Sequence, residues 1–329
     1  MFGVTRVFAY NGFPVRFRNR KNLDAAAVPS CCVLAEYNAR ECSQEHGTAR
    51  ITMEISSTAI VSPRARLAQE VYVGPFCIIE DEVEIGAGTR LDSHVVIKNY
   101  TTLGENNHLH AGVLLGSDPE DKNFPGQRSY LRIGHRNVFR EYSSASRGTP
   151  PESATVIGDD NYIMIGTHLA HNCRLENNIV ICNYCSLGGY VEVGELAYIS
   201  AGVLVHQFSK IGRLAMISGN TRVNLDVPPF ILASDFDITA KGLNLVGLKR
   251  AGIGPEAIRE LKRAYQILYR SRLPLGQALE RIEREVPTEE ARHLIQFVRS
   301  SERGFCREAS KKHFQRALSA EDRSESPQE

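Results

Sequence analysis

The stretch IGTHLAHNC, Ile165 to Cys173, places His168 and His171 three residues apart, with Cys173 two residues beyond the second. Farther along stand Cys182, Cys185 and His206. Three chemistries suit such a set. An imidazole titrates near pH 6.5, so it can take a proton from a hydroxyl and return it to a leaving group. Set beside a bare backbone amide that holds an oxyanion, it is equipped for acyl transfer. The same residue types ligate zinc, but that ion needs three or four converging ligands, and no second pair completes the Cys182-x-x-Cys185 motif. The third reading is structural: histidines hydrogen-bonded along a polar wall and cysteines filling the core as small hydrophobes. The backbone that carries them decides among these.

That backbone has a period of six. Every sixth position from Val61 to Leu115 is Val, Ile or Leu, and so is every sixth position from Ile157 to Val223. Six is neither the helical 3.6 nor a heptad, and repetition of this kind predicts a parallel β-helix. Three hexads make one triangular coil, so residues about 18 apart stack at a strand spacing of roughly 4.8 Å. Glycine often follows the aliphatic residue, as in VYVGPF and VEIGAG, and is expected to supply a corner with unusual backbone angles. Ser117–Tyr130 and Gly148–Ser153 interrupt the pattern and read as loops leaving the coil, places where rigid scaffolds often carry function.

The coil gives the histidines addresses. His168 directly precedes the inward Leu169, His171 lies two residues after it, and His206 follows the inward Val205. Stepping one coil at a time from His171 leads to Gly189 and then Gln207. Gly188-Gly189 opens the wall at that level and exposes an N–H beside the imidazole, which favours the base-and-oxyanion reading. Residues three apart on a β-helix point in different directions, which disfavours the metal one.

The rest of the chain bounds the function. It has 329 residues, with 39 Lys+Arg against 38 Asp+Glu and a net charge of +1, which argues against a dedicated nucleic-acid binder. No apolar run approaches the ~18 residues that span a bilayer, so stable membrane insertion is not expected. The eight cysteines are scattered through a long chain, unlike a secreted disulfide framework, and a cytoplasmic protein is the expectation. Residues 1–52 fit no pattern downstream; they read either as a targeting leader or as sequence upstream of a true start at Met53. Residues 53–235 form the β-helix. Residues 236–305 form a small helical domain, with Pro255 opening one helix, a second helix carrying Leu275, Leu279, Ile282 and Val286, and a third starting near Thr288. Residues 306–329 read as a charged tail.

GTHLAHNC, VHQF, DVPPF, GLNLVGLKRAG and AYQILYRS follow one another in a hexapeptide β-helix and the segment after it. This series resembles the bacterial UDP-N-acetylglucosamine O-acyltransferases over about Glu54 to Phe305. The resemblance implies a homotrimer of left-handed β-helices. It also implies transfer of a 3-hydroxyacyl chain from acyl carrier protein to the sugar 3-hydroxyl, the first step of lipid A biosynthesis. No cofactor or metal is implied, because the acyl donor rides on the phosphopantetheine of acyl carrier protein. Carried over by position, His171 is the general base and Gly189 the oxyanion donor. His168, His206 and Gln207 line the sugar and acyl pockets, Asp121 with Lys122 meets the sugar, and Asn244 and Arg250 meet the nucleotide or the donor's arm. Gly219 matches the position that limits acyl length, and its bare backbone favours a longer chain.

The sequence departs from the family pattern at several places: Asn172 stands for an aspartate, Tyr190 for a histidine, Asn123 for a lysine, and Val246 and Ala251 for an acid and an arginine. Other readings are the related N-acyltransferase, a coenzyme A-dependent acetyltransferase, a zinc-dependent β-helix carbonic anhydrase and a non-catalytic paralogue. Between Leu248 and Leu275 seven basic residues (Lys249, Arg250, Arg259, Lys262, Arg263, Arg270, Arg272) face two acids (Glu256, Glu260), a docking patch for an acidic carrier protein or a solvated helix face.

Overall fold

The computed structural model describes residues 53–308. The expectations for residues 1–52 and for most of the charged tail lie outside them. Each hexad contributes a two-residue strand with one side chain in and one out, and the inward aliphatics make one continuous core; Leu91, Ile97, Leu109, Ile163 and Leu169 are fully buried. Three sheets result. The first has 11 strands, starting at Glu54–Ile55, the second 9, starting at Ile60–Val61, and the third 8, starting at Arg66–Leu67. Register is one coil per step: His168 pairs with Ser186 and Ser186 with Leu204, all parallel. Rows of outward residues are thereby stacked in columns.

The corners are not where the glycines are. The left-handed backbone angles recur every sixth residue, three positions beyond the inward one, and are mostly borne by other residues, including Tyr190 (φ 61°) and Phe208 (φ 63°). Apart from Gly116 (φ 78°), the glycines that follow the inward aliphatics have ordinary angles and serve close approach instead. A Cβ on Gly74 would lie 2.8 Å from the backbone of Asp92 on the next coil, and one on Gly86 would lie 2.5 Å from Gly104. The expectation that these glycines form strained corners is corrected accordingly.

Both interruptions are loops, one between Leu114–Ser117 and Tyr130–Ile133, the other between Ser144–Ser146 and Ala154–Ile157. Each connects a second-sheet strand to a third-sheet strand, so both leave from one edge of the prism. Buried Asn107, Asn137 and Asn161 form a ladder along the coils they interrupt: Asn107 Oδ1 accepts from Asn137 N at 2.9 Å, and Asn137 Oδ1 from Asn161 N at 2.9 Å.

After the coil, Ile231–Ser234 and Thr239–Leu243 form an antiparallel hairpin on the end of the first sheet, extending it past residue 235. Four helices follow among the described residues: α1 (Leu245–Arg250), α2 (Pro255–Arg270), α3 (Leu275–Glu285) and α4 (Glu289–Arg299). The six-residue α1 is too short to show a helical period in the sequence. Thr288 caps α4, its Oγ1 accepting from Ala291 N. Of the apolar face expected on α3, Leu279, Ile282 and Val286 are buried, whereas Leu275 is exposed. The chain then returns to the coil: Phe305 bridges to Asp226 and Glu308 to Ala240, and Cys306 is buried in the solenoid core beside Tyr265. Structure therefore continues past the break expected at residue 305. No helix among the described residues is long and apolar enough to cross a membrane.

Candidate active site

His171, Gly189 and Gln207 stack on the same second–third edge that releases the two loops. Tyr190 N donates to His171 O at 3.0 Å, and Phe208 N donates to Gly189 O at 2.9 Å, fixing the three in register. The imidazole lies directly over Gly189. A Cβ there would stand 2.5 Å from its Cε1 and 2.6 Å from its Nε2, so only glycine admits the ring in this place. At some equivalent positions a side chain caps the amide, as Glu176 caps Glu195 N at 2.8 Å, and at others, such as Asn183 and Ala201, no hydrogen bond among the described residues uses it. No hydrogen bond among the described residues uses the N–H of Gly189. Tyr190 meets His171 edge-on at 5.4 Å and stacks on Phe208 at 4.9 Å, giving the site an aromatic flank.

Asn172 sets the tautomer. Its Oδ1 accepts from Thr149 N at 2.9 Å, and because a backbone N–H can only donate, the atom facing it is oxygen. His171 Nδ1 lies 3.1 Å from the same oxygen and therefore carries a proton. Nε2 is left as the acceptor, on the side of Gly189. The amide nitrogen of Asn172 donates to Ser153 Oγ at 3.0 Å, which ties the shorter loop to the imidazole. A neutral amide thus supplies the orientation that an aspartate would, without its charge.

The other expected residues are placed unequally. His168 points outward on its strand, with Nδ1 2.9 Å from Ser144 Oγ and a buried Nε2 that has no partner. Burial lowers its pKa, opposed by the nearby Glu120. It stands neutral, with an unused nitrogen. His206 is exposed and its Nδ1 donates to Gln207 O at 3.0 Å, leaving Nε2 open. Arg303, which the sequence did not mark, also donates to Gln207 O at 3.1 Å and joins the end of the helical segment to this edge.

In the longer loop, Asp121 Oδ1 accepts from Asn123 N at 2.9 Å and shapes the turn, while Lys122 is exposed. The loop's anchor is Arg147, another residue missed in the sequence. It is 7% exposed, donates to Asp118 at 2.7 Å and to Gln127 O at 3.1 Å, and lies over the rings of Tyr100 and Phe124 at 5.4 and 5.1 Å. Its only signal in the sequence was a lone arginine beside a break in the hexads.

Asn244 is not presented as a ligand group. It caps α1, with Oδ1 accepting from Gly247 N and Nδ2 donating to Leu214 O, both at 2.9 Å, so both polar ends are occupied. Arg250, on the same helix, is exposed. Gly219 is exposed with ordinary angles, and a Cβ there would meet Ala201 O at 3.1 Å. The basic patch is partly neutralised: Arg259 pairs with Glu256, Arg263 with Glu285 and Arg270 with Glu308. Lys249, Arg250, Lys262 and Arg272 are exposed and stand outside the ion pairs of the described residues. Cys173 and Cys185 are buried, and their thiols donate to Gly188 O at 3.2 Å and Ser200 O at 3.0 Å. Burial pushes them up to about 12 and about 11, which fits core packing and opposes metal ligation.

Residues 226–306 match the family model described as UDP-N-acetylglucosamine O-acyltransferase, domain 2. The acyl-[acyl-carrier-protein]–UDP-N-acetylglucosamine O-acyltransferase of Thermodesulfovibrio yellowstonii is 43% identical over 256 residues, 77% of this chain and 99% of that protein. The enzyme of the same name from Alkalilimnicola ehrlichii is 44% identical over 257 residues, again 77% of this chain and 99% of its own. The crystal structure of a UDP-N-acetylglucosamine acyltransferase from Bacteroides fragilis superposes with a TM-score of 0.76 at 35% identity, covering 77% of this chain and all of that one. That fold is the left-handed parallel β-helix.

Proposed function

The chain belongs to the acyl-[acyl-carrier-protein]–UDP-N-acetylglucosamine O-acyltransferase family, and from that premise we propose how its own residues carry out the reaction. It is an acyltransferase that moves a 3-hydroxyacyl chain from acyl carrier protein to the 3-hydroxyl of UDP-N-acetylglucosamine, the first step of lipid A biosynthesis. One observation carries the mechanism: the His171 ring, its Nδ1 facing Asn172 Oδ1, lies directly over Gly189, whose N–H no hydrogen bond among the described residues uses.

In the reaction, Nε2 takes the proton of the sugar hydroxyl as its oxygen attacks the thioester carbonyl. The carbonyl oxygen becomes an oxyanion held by the Gly189 N–H. Collapse breaks the carbon–sulfur bond, and the departing phosphopantetheine thiolate recovers the proton from the imidazolium. Base and oxyanion donor each contribute on the order of 10²-fold or more. Asn172 holds the ring in the reactive tautomer. His168 Nε2, His206, Gln207, Asp121 and Lys122 are the groups for the sugar and acyl chain. Arg250 serves the nucleotide or the donor's arm, and Asn244 acts one step back by capping the helix that carries it. Gly219 leaves room for a longer acyl chain. The reaction needs no cofactor beyond the donor's phosphopantetheine.

The active assembly is a homotrimer in the cytoplasm. The outer face of the second sheet at its first coils supports a trimer, with the paired Ile60 and Ile78 at 66% and 38% exposure, an apolar surface suited to a second copy. Lys249, Arg250, Lys262 and Arg272 supply the docking charge for an acidic carrier protein. Mixing the protein with 3-hydroxyacyl-acyl carrier protein and UDP-N-acetylglucosamine tests the reading, with product analysed by mass and by base lability of the new ester. A base-labile 3-O-acyl product supports it. A base-stable amide, or no product from a trimeric preparation, overturns it.

A further inference from the structure

A cluster separate from the catalytic edge has the shape of a metal centre. Leu109 points into the core, so His108 and His110 on either side of it both point out, with rings stacked at 4.0 Å. Asp92 sits one coil below His110 and faces both rings with the same oxygen. Asp92 Oδ2 is 3.1 Å from His108 Nε2 and 3.3 Å from His110 Nδ1, and the three atoms all lie within 4.8 Å of one another. Zinc ligands held about 2.0–2.2 Å from the ion at tetrahedral angles stand roughly 3.3–3.5 Å apart, close to the two edges observed.

We propose that Asp92, His108 and His110 bind one Zn2+ on the first–second edge of the prism, with water or Glu141 completing the shell. Glu141 Oε1 lies 3.9 Å from His110 Nδ1. Arg90 donates to the other oxygen of Asp92 at 3.1 Å, so it orients the carboxylate and leaves Oδ2 free to ligate, as outer partners do in metal sites. Two imidazoles and one carboxylate select a borderline-soft ion over Mg2+ or Ca2+. All three side chains are partly exposed, giving the ion a way in. His171 lies on a different edge, so the ion is structural: it ties two successive coils together and takes no part in acyl transfer.

The test is equilibrium dialysis of the metal-stripped full-length chain against Zn2+, with metal counted per chain and melting followed with and without the ion. The expected result is one Zn2+ per chain and a zinc-dependent rise in melting temperature, with no such rise from Mg2+. His108→Ala and His110→Ala should each weaken binding at least tenfold while melting like the native chain without metal. Asp92→Asn, which keeps the side chain's shape, should do the same and guards against a folding defect in the histidine variants. No bound zinc, or zinc held equally well by all three variants, overturns the proposal; the latter would place the ion on cysteines.

Discussion

Replacing Gly189 with alanine separates the position of the base from the existence of the oxyanion donor, because alanine keeps the backbone N–H. The new Cβ would fall 2.5 Å from His171 Cε1 and 2.6 Å from Nε2. Carbon contacts become favourable only near 3.5 Å, so the ring must retreat by about 1 Å. It cannot do so freely. Tyr190 stands edge-on at 5.4 Å, and the bond from Nδ1 to Asn172, now 3.1 Å, would stretch beyond hydrogen-bonding range. A misplacement of about 1 Å costs on the order of 10²-fold in rate, or about 2.7 kcal/mol. Gly189 has no left-handed angle to lose, so stability should change by less than about 1 kcal/mol. Gly188→Ala is the contrasting case: its Cβ would meet Gln207 N at 2.7 Å, a backbone atom, and it should destabilise by about 1–3 kcal/mol. Steady-state transfer and thermal melting of both variants provide the assay. A Gly189→Ala enzyme with native kcat, or one whose loss merely tracks its unfolded fraction, refutes the placement of the base.

Other outcomes follow from the same geometry. Asn172→Ala should lower kcat roughly tenfold or more by freeing the tautomer and the Thr149 turn, whereas Asn172→Asp, which keeps the acceptor, should retain most of the rate. Arg147→Ala should raise KM for the sugar nucleotide at least tenfold with a smaller effect on melting, because Asp118, left behind, is 68% exposed and stays solvated. Glu308 is held below the usual carboxylate range, chiefly by Arg270, opposed by burial and helped by Tyr265. A carboxyl lowered on folding stabilises above its unfolded pKa of about 4.3 and loses that contribution as pH falls through its folded value. The melting difference between the native protein and Glu308→Gln should therefore be present at neutral pH and shrink steadily below about pH 4.

The sequence revealed the parts of this fold that burial dictates. A coil that must fill its axis repeats Val, Ile or Leu throughout both runs, with Phe139 and Ala145 taking the inward place between them, so the β-helix, its loops and the stacking of His171 over Gly189 could be derived by counting. What could not be derived depends on contacts between coils. Tyr190 and Phe208 take left-handed angles that no residue-type rule assigns to tyrosine or phenylalanine, and the glycines mark close backbone approaches. Arg147 and Arg303 act through partners distant in the sequence, Asp118 and Gln127 for the first and Gln207 and Asn224 for the second. Asn172 read as a weakened aspartate until Thr149 N showed which of its atoms faces the histidine. Asn244 carried a motif resemblance, yet both its polar atoms are taken up in capping α1. Cys306 looked like tail, because its partners lie far back in the sequence, at Asp226 where its N–H donates and on α2.

The central claim is that Nε2 of His171 deprotonates the acceptor hydroxyl against the amide of Gly189. Its most direct test is transfer of 3-hydroxyacyl chains of graded length from acyl carrier protein to UDP-N-acetylglucosamine, comparing the native protein with His171→Ala at matched oligomeric state. The account predicts 3-O-acylated product from the native protein and a loss of 10²- to 10⁴-fold in kcat in the variant, with UDP-N-acetylglucosamine binding retained. A variant that turns over within a few-fold of the native enzyme would contradict it.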